Sequence, residues 1–255
     1  IRDSFFEKGD AEGNKDMKDI LGGKGANLAE MAGIGLPVPP GFTVSTEVCN
    51  LFTREANRIP PAVEEDILEN LERLEEISEQ KFGDKDNPLL VSVRSGAKFS
   101  MPGMMDTVLN LGLNDQTLVG LARKAKNRRF ALDCYRRLIH MFGDVVLGIP
   151  KKKFEEILKK KKEGNGIVHD FELTEQLLEE LIAEYKDIVR RETGKDFPQD
   201  VKEQLFMAIS AVLQSWNNPR AITYRRLNHI PDDLGTAINV QMMVFGNIGE
   251  DSATG

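Results

Sequence analysis

The segment from Val91 to Asn114 constrains the fold of this chain more than any other stretch. The apolar run from Leu89 to Val93 predicts a buried strand, because β-branched runs bounded by turn residues pack in sheets. This strand delivers Arg94 into a loop rich in glycine, serine and methionine. Glycines past a strand let backbone N–H groups approach a ligand, and the planar guanidinium of Arg94 matches phosphate or carboxylate oxygens. The segment therefore predicts an anion-binding loop.

Length and charge limit the functions that the chain can have. Its 255 residues, 40% hydrophobic and 29% charged, suffice for one large or two modest cores. The formal net charge of −7 excludes an overall basic field for nucleic acid or an anionic membrane, so an anion has to be bound locally. Cys49 and Cys134 lie far apart in apolar helical patterns, which favours reduced thiols.

The N-terminus and the hydropathy pattern bear on the compartment. No apolar run approaches the roughly 18 residues of a membrane-spanning helix, and the first residues of the sequence lack the apolar run expected of a signal peptide. We therefore expect a soluble cytoplasmic protein without a membrane or nucleic-acid partner, and a plastid or glycosome is the alternative compartment. Because the chain starts at Ile1 rather than at methionine, we expect its gene to begin further upstream.

A second glycine-rich element surrounds Lys24. The lysine lies among three glycines, Gly22, Gly23 and Gly25. They are expected to open a short helix from Ala26 to Met31, whose free N–H groups and dipole would favour an anion. No serine or threonine follows Lys24, so the spacing is not that of a P-loop. A solvated turn lysine is the structural alternative.

Other side chains near these two elements leave alternatives open. Arg94 has the structural alternative of an ion pair with Asp106 or another carboxylate. Ser95 and Ser100 have no histidine at readable spacing, which favours loop hydrogen bonding over a nucleophilic role. The methionines either plug a core or cover a flat ring such as adenine; they are Met101, Met104 and Met105. The three histidines lie far from one another and none pairs with a carboxylate at metal-ligand spacing, which excludes a zinc site.

The remaining pattern is mostly helical. Helices are predicted at 61–80, 115–125 with Asp115 as cap, 129–147, two within 150–196, 200–216, and from Asn218 onward. Strands are predicted at 42–46 and 236–245. Since nothing after the last strand can pair with it, we expect an unpaired edge and a chain cut inside a domain.

Five runs of the sequence resemble the amino-terminal nucleotide-binding domain of the pyruvate phosphate dikinase family. They are residues 20–31, PPGFTVSTE at 39–47, VRSGAKFSMPGMMDTVLNLGLN at 93–114, YRR at 135–137 and SWNNPRAITYRR at 215–226. Phosphoenolpyruvate synthases share the GGKG and VRS elements but not the run from SMPGMMD to NLGL. The pair Lys98-Phe99 departs from the smaller residues that the family pattern leads us to expect.

The resemblance implies an α+β, ATP-grasp-like fold with an inserted helical subdomain and without its final lobe. It divides the chain into a first lobe (1–114), a helical subdomain (115–199), helices returning to the first lobe (200–235) and the start of a truncated second lobe (236–255). The implied full-length enzyme is a phosphotransferase with paired acceptors. It interconverts ATP, phosphate and pyruvate with AMP, pyrophosphate and phosphoenolpyruvate through a histidine in a domain absent here, so this fragment alone is expected to be inactive.

The resemblance also assigns the site. Arg94 is the expected catalytic residue, and the expected nucleotide-binding residues are Lys24, Arg94, Gly96, Ser100, Met101, Gly103, Met104 and Arg137. Mg²⁺ is expected with ATP, on ligands beyond Gly255. The expected partners are ATP or AMP and the phosphohistidine domain of the same full-length chain, and the full-length enzyme is expected to be a homo-oligomer. The alternatives are a non-catalytic module that senses adenylates or docks a partner, and a phosphoenolpyruvate synthase-like relative.

Overall fold

The computed structural model describes residues 3–246 and residue 248. These residues form a mixed α and β structure with two compact units, each assembled from separated stretches of chain. Within the described part, unit 1 comprises residues 3–80, 91–107 and 206–243, and unit 2 comprises 81–90, 108–205, 244–246 and 248. The sequence-based division at residues 114, 199 and 235 stays a prediction.

The elements follow one another in this order. The strands are β1 (Asp3–Glu7), β2 (Asp10–Ala11), β3 (Gly41–Val44), β4 (Lys81–Phe82), β5 (Pro88–Leu89), β6 (Val91–Gly96), β7 (Thr107–Leu111) and β8 (Ala237–Met242). The helices are α1 (Lys18–Gly33), α2 (Thr46–Arg54), α3 (Pro61–Ser78), α4 (Thr117–Ala125), α5 (Arg128–Val145), α6 (Lys151–Gly164), α7 (Glu175–Thr193), α8 (Val201–Ser215) and α9 (Pro219–Leu227). Short 3-10 turns lie at Asp170–Glu172 and Asp232–Leu234.

Unit 1 is organised around an antiparallel sheet with the strand order β2-β1-β3-β8-β6. The predicted final strand is β8, which pairs with β3 on one side and β6 on the other. The expectation of an unpaired edge strand is therefore wrong. Its partners lie far back in the sequence, and hydrophobic alternation identifies a strand without showing which strands it joins.

The two faces of this sheet differ in chemistry. One row of directly opposed residues is apolar: Phe5, Phe42, Val240 and Val93. On that face the guanidinium carbon of Arg73, in α3, lies 4.0 Å from the centre of the Phe5 ring. The neighbouring row is polar and points to the other face: Ser4, Thr43, Asn239 and Arg94. Helix α1 packs there, so closely that a Cβ on Gly25 would lie 2.8 Å from Thr43 Cγ2.

Unit 2 is mainly helical, and polar side chains cap two of its helices. The side chain of Asn127 accepts the Phe130 N–H at the start of α5, and that of Thr174 accepts the Leu177 N–H at the start of α7. The prediction that Asp115 caps α4 is wrong. Asn114 instead bonds the start of this helix, because its Oδ1 accepts the N–H groups of Gln116, the N-cap position, and of Thr117, the first helical residue.

Two further predictions about the site elements need correction. Arg94 lies inside β6, which continues to Gly96, and not in the loop after the strand. Helix α1 begins at Lys18 rather than at Ala26, and its regular geometry is interrupted at Gly22, which has φ 66° and ψ 175°. A short run of glycines marked this interruption in the sequence but did not show that helix precedes it.

Both cysteines are buried free thiols, as expected. Over the part of the chain that the structure describes, no helix is long and apolar enough to cross a membrane.

Gly22 is expected to tolerate no side chain. A Cβ there would lie 1.5 Å from the carbonyl oxygen of Gly96, and its positive φ adds backbone strain. Gly22→Ala should lower the free energy of unfolding by about 3 kcal/mol or more. The control is Gly9→Ala, also at positive φ but with nothing within 4 Å, which should lose only about 1 kcal/mol. Urea unfolding measures both losses, and equal losses would contradict the close contact.

Candidate functional site

A cavity of about 590 Å³ opens in unit 1 beside α1. One wall comes from α1, at Lys18, Lys24 and Asn27, and the other from residues 95–103, 105 and 107. The volume lies within the range of roughly 300 to 1,000 Å³ typical of small-molecule sites. We call this cavity the cleft.

Direct backbone contact between α1 and the end of β6 forms the floor of the cleft. The missing side chain of Gly22 lets its backbone lie against the Gly96 carbonyl, and the Gly23 N–H donates a 3.0 Å hydrogen bond to the Ala97 carbonyl. After Gly22 the chain resumes helical geometry. Lys24 is therefore held directly beside the end of the strand that carries Arg94.

Lys24 is exposed along much of its length, but its ammonium rests on β6. Its Nζ donates to the carbonyl oxygen of Ser95 at 3.0 Å. Partial burial, followed by the nearby charge of Arg94, lowers the pKa of Lys24 below its ordinary value. Lys24 and Arg94 thus lie within electrostatic range of each other, as the sequence led us to expect. Two like charges this close favour a bound anion.

Arg94 occupies the end of the polar row, on the sheet face that α1 covers. Its Nε is buried and has no hydrogen-bond partner within residues 3–246 and 248. A buried donor without an acceptor costs about 1 to 3 kcal/mol, so this Nε–H calls for an acceptor. Arg94 is not itself among the residues lining the cleft, which involve its neighbours Ser95 and Gly96.

The predicted loop residues fall into two groups. Gly96, Ser100, Met101 and Gly103 line the cleft, whereas Met104 does not and Met105 does. The Gly96 N–H is already used, because it donates to Thr236 Oγ1 at 3.2 Å. The predicted role of the glycine amides as free anion donors is therefore wrong for Gly96, and also for Gly23.

Contacts with α9 and its cap hold the loop in place. Asn218 Nδ2 donates to the Met104 carbonyl at 2.9 Å, and the Tyr224 hydroxyl donates to the Ser100 carbonyl at 3.4 Å. The loop also turns on itself, since the Met104 N–H donates to the Met101 carbonyl at 3.1 Å. A segment far along the sequence thus shapes the outer wall of the cleft.

Several residues of the cleft escaped the sequence-based assignment. Asn27 lies three residues after Lys24, so helical spacing places both on one face and could have revealed it. Lys98 forms an ion pair with Asp19, and the Phe99 side chain is 46% exposed in the cleft wall. Thr236, which lies outside the cleft lining but accepts the Gly96 N–H, carried no signal, because only the pairing of β8 with β6 brings it there.

Arg137 belongs to unit 2 and is described there. It lies on α5 with 54% of its side chain exposed, and its Nε is 2.9 Å from Asp133 Oδ2. The same Asp133 carboxylate accepts two bonds from the buried Arg136, at 3.0 and 2.6 Å. The assignment of Arg137 to the nucleotide site stays a prediction.

Comparison with known proteins assigns the chain to a family. The sequence profile described as pyruvate phosphate dikinase, AMP/ATP-binding domain, matches residues 18–59 and 55–255. The chain is 53% identical over 245 residues to pyruvate, phosphate dikinase of Clostridium symbiosum. The aligned region covers 96% of this chain and 28% of that protein. The chain is 56% identical over 250 residues to the chloroplastic pyruvate, phosphate dikinase 1 of Oryza sativa subsp. japonica, covering 98% and 26%.

A further bacterial relative, from Rhizobium meliloti (strain 1021), is 52% identical over 250 residues, covering 98% of this chain and 28% of the relative. The chain thus spans about a quarter of the length of the curated relatives it matches. The cleft, with its two neighbouring cations and glycine backbone, lies within the region that the family profile covers. The chain belongs to the AMP/ATP-binding domain family of pyruvate phosphate dikinases.

Proposed function

We propose that this chain binds the triphosphate of ATP in the cleft and presents it for phosphoryl transfer to a histidine in another domain of the full-length protein. The observation that carries this proposal is the convergence of Lys24 and Arg94 beside glycine backbone. The two side chains lie 70 positions apart, and the contact at Gly22 holds Lys24, in the cleft wall, beside the end of the strand that carries Arg94.

The proposed mechanism is electrostatic. At an effective dielectric near 20, one cation about 4 Å from a phosphate charge contributes roughly 4 kcal/mol before desolvation. Lys24 acts as a point charge, and Arg94 offers a planar set of donors. Phosphoryl transfer depends mainly on positioning and on stabilising charge at the transferred group. Arg94 is therefore proposed as the catalytic residue, with Lys24 as the second phosphate ligand.

The loop after β6 is proposed to cover the nucleotide. Gly96, Ser100 and Gly103 give its backbone small or polar positions beside the phosphates. Met101, with Phe99 and Met105 in the same wall, offers apolar surface for adenine. Met104 supports this wall through its backbone bond to Asn218. Arg137 is proposed as a third basic residue near the nucleotide.

Mg²⁺ is proposed to accompany ATP on ligands outside the described residues. Among the described residues that line the cleft there are lysines but no carboxylates, and Mg²⁺ prefers carboxylate oxygens; Asp19, outside the lining, is paired with Lys98. Within residues 3–246 and 248, no group of three or more His, Cys, Asp or Glu side chains is placed to hold a metal ion. The cleft residues alone do not fit the metal.

For the full-length protein we propose the dikinase reaction. ATP, phosphate and pyruvate are interconverted with AMP, pyrophosphate and phosphoenolpyruvate by an ATP-grasp domain, of which this chain is part, acting with a phosphohistidine domain. Relatives named pyruvate, phosphate dikinase cover 96 to 98% of the chain. A homo-oligomeric cytoplasmic enzyme is proposed as well, and the chloroplastic relatives keep a plastid as the alternative.

Removing either cation should strongly slow phosphorylation of the carrier histidine by ATP. In the full-length enzyme, Arg94→Ala and Lys24→Ala should each slow labelling of the carrier histidine from ATP by about 100-fold or more, because each removes a charge from the transition state. Pyruvate-dependent chemistry at the distant domain should remain. Arg58→Ala, an exposed arginine of the same unit, is the matched control. Undiminished labelling of the carrier histidine in Arg94→Ala would contradict the proposal.

ATP affinity should fall at alkaline pH. Lys24 is protonated below its lowered pKa, so affinity is full there and is lost as pH rises through that pKa. Lys24→Arg should keep affinity to higher pH, because a guanidinium stays charged. Calorimetry of ATP binding to the full-length enzyme, between about pH 7 and pH 10, compares the two. Identical affinity profiles of the native enzyme and of Lys24→Arg would show that Lys24 does not cause the pH dependence of ATP binding.

A further inference from the structure

Four polar residues form a continuous row across the sheet of unit 1. Ser4 is opposite Thr43, Thr43 is opposite Asn239, and Asn239 is opposite Arg94. The first three are no more than 2% exposed. Residues directly opposite in antiparallel strands share a face with their side chains in contact distance. The row therefore runs through buried space from β1 to the arginine assigned to catalysis.

The hydrogen bonds along this row leave several buried polar atoms without a partner. Thr43 Oγ1 donates to Asn239 Oδ1 at 2.9 Å. Within the described residues, three buried atoms of the same row lack a partner: Ser4 Oγ, Asn239 Nδ2 and Arg94 Nε. Two of these, on Asn239 and Arg94, are donors on opposed residues. Buried polar groups are nearly always paired, so this pattern calls for a common explanation.

We propose that Asn239 is a positioning residue for Arg94. Half a turn of the amide directs its oxygen toward β6, where it accepts the Nε–H of Arg94. The Asn239 NH₂ then donates to Thr43 Oγ1 across the same 2.9 Å contact. One rotation thus gives the Nε of Arg94 an acceptor, leaves no polar atom of Asn239 without a partner and fixes the plane of the guanidinium.

Asn239 acts through Arg94 because it has no access to a ligand of its own. The residue is 1% exposed and does not line the cleft. Gly96 covers its Nδ2 end, since a Cβ on Gly96 would lie 2.5 Å from that atom. Gly25 of α1 covers the Oδ1 end, where a Cβ would lie at 3.1 Å. The amide is confined between these glycines and faces Arg94 from the adjacent strand.

The inference rests on the proposed function of Arg94, and a double-mutant cycle in the full-length enzyme tests it. Asn239→Leu preserves volume but removes the acceptor. It should lower kcat for labelling of the carrier histidine by about 10- to 100-fold, the scale of a small misplacement of a catalytic group, with little change in KM for ATP. In an Arg94→Ala background the same change should have no further effect.

Controls separate positioning from damage to the fold. Ser92→Ala removes a buried hydroxyl from β6, on the sheet face that also carries Arg94. This hydroxyl contacts the Gln241 carbonyl at 3.4 Å, and its removal should leave the kinetics unchanged. If Asn239→Leu does not fold, Thr43→Val takes its place, with an expected loss of about 3- to 10-fold that also vanishes without Arg94.

The outcomes are distinct. A loss confined to enzyme that contains Arg94 supports the inference. Full activity of the Asn239 variant, or a loss that simply multiplies with that of Arg94→Ala, overturns it while the proposed function stands. If Arg94→Ala itself keeps full activity, the proposed function fails and the inference fails with it.

Discussion

The contact between the Gly22 backbone and the Gly96 carbonyl is the constraint on which the site depends. It requires that one residue have no side chain, and it joins the break in α1 to the end of β6. The neighbouring bond from Gly23 to Ala97 secures the same junction. Lys24 and Arg94 approach each other because their backbones are fixed here. The glycines thus serve to bring two charged segments together, more than to present free amides.

The sheet of unit 1 separates two tasks by its alternating faces. The apolar row from Phe5 to Val93 packs beneath α3 and supplies the burial that holds the strands together. The polar row from Ser4 to Arg94 faces α1 and leads to the cleft. Since side chains alternate along each strand, a shift of one residue in register would exchange the rows. Register is therefore a condition of the site as much as of the core.

Many helices and strands, and part of the candidate site, could be predicted from local sequence. The helix α3, the helix start at Asn218 and the strand that carries Arg94 followed from periodicity and capping chemistry. Pairing could not be predicted, because nothing near Ala237–Met242 indicates that β8 inserts between β3 and β6. For the same reason Thr236 and Asn239 were missed. Asp115 was misassigned because Asn114, one position earlier, competes for the same capping role.

The position of β8 also has a consequence for how the molecule is made. Thr43 and Asn239 hydrogen-bond across 196 positions of sequence, and β8 lies between strands that leave the ribosome long before it. Such non-local pairing gives a high contact order, and the loop-closure entropy has to be overcome before the contacts form. The nascent chain therefore carries β3 and β6 as unjoined edges until its last described strand is translated. Protection of these edges during synthesis becomes part of the requirement for a functional domain.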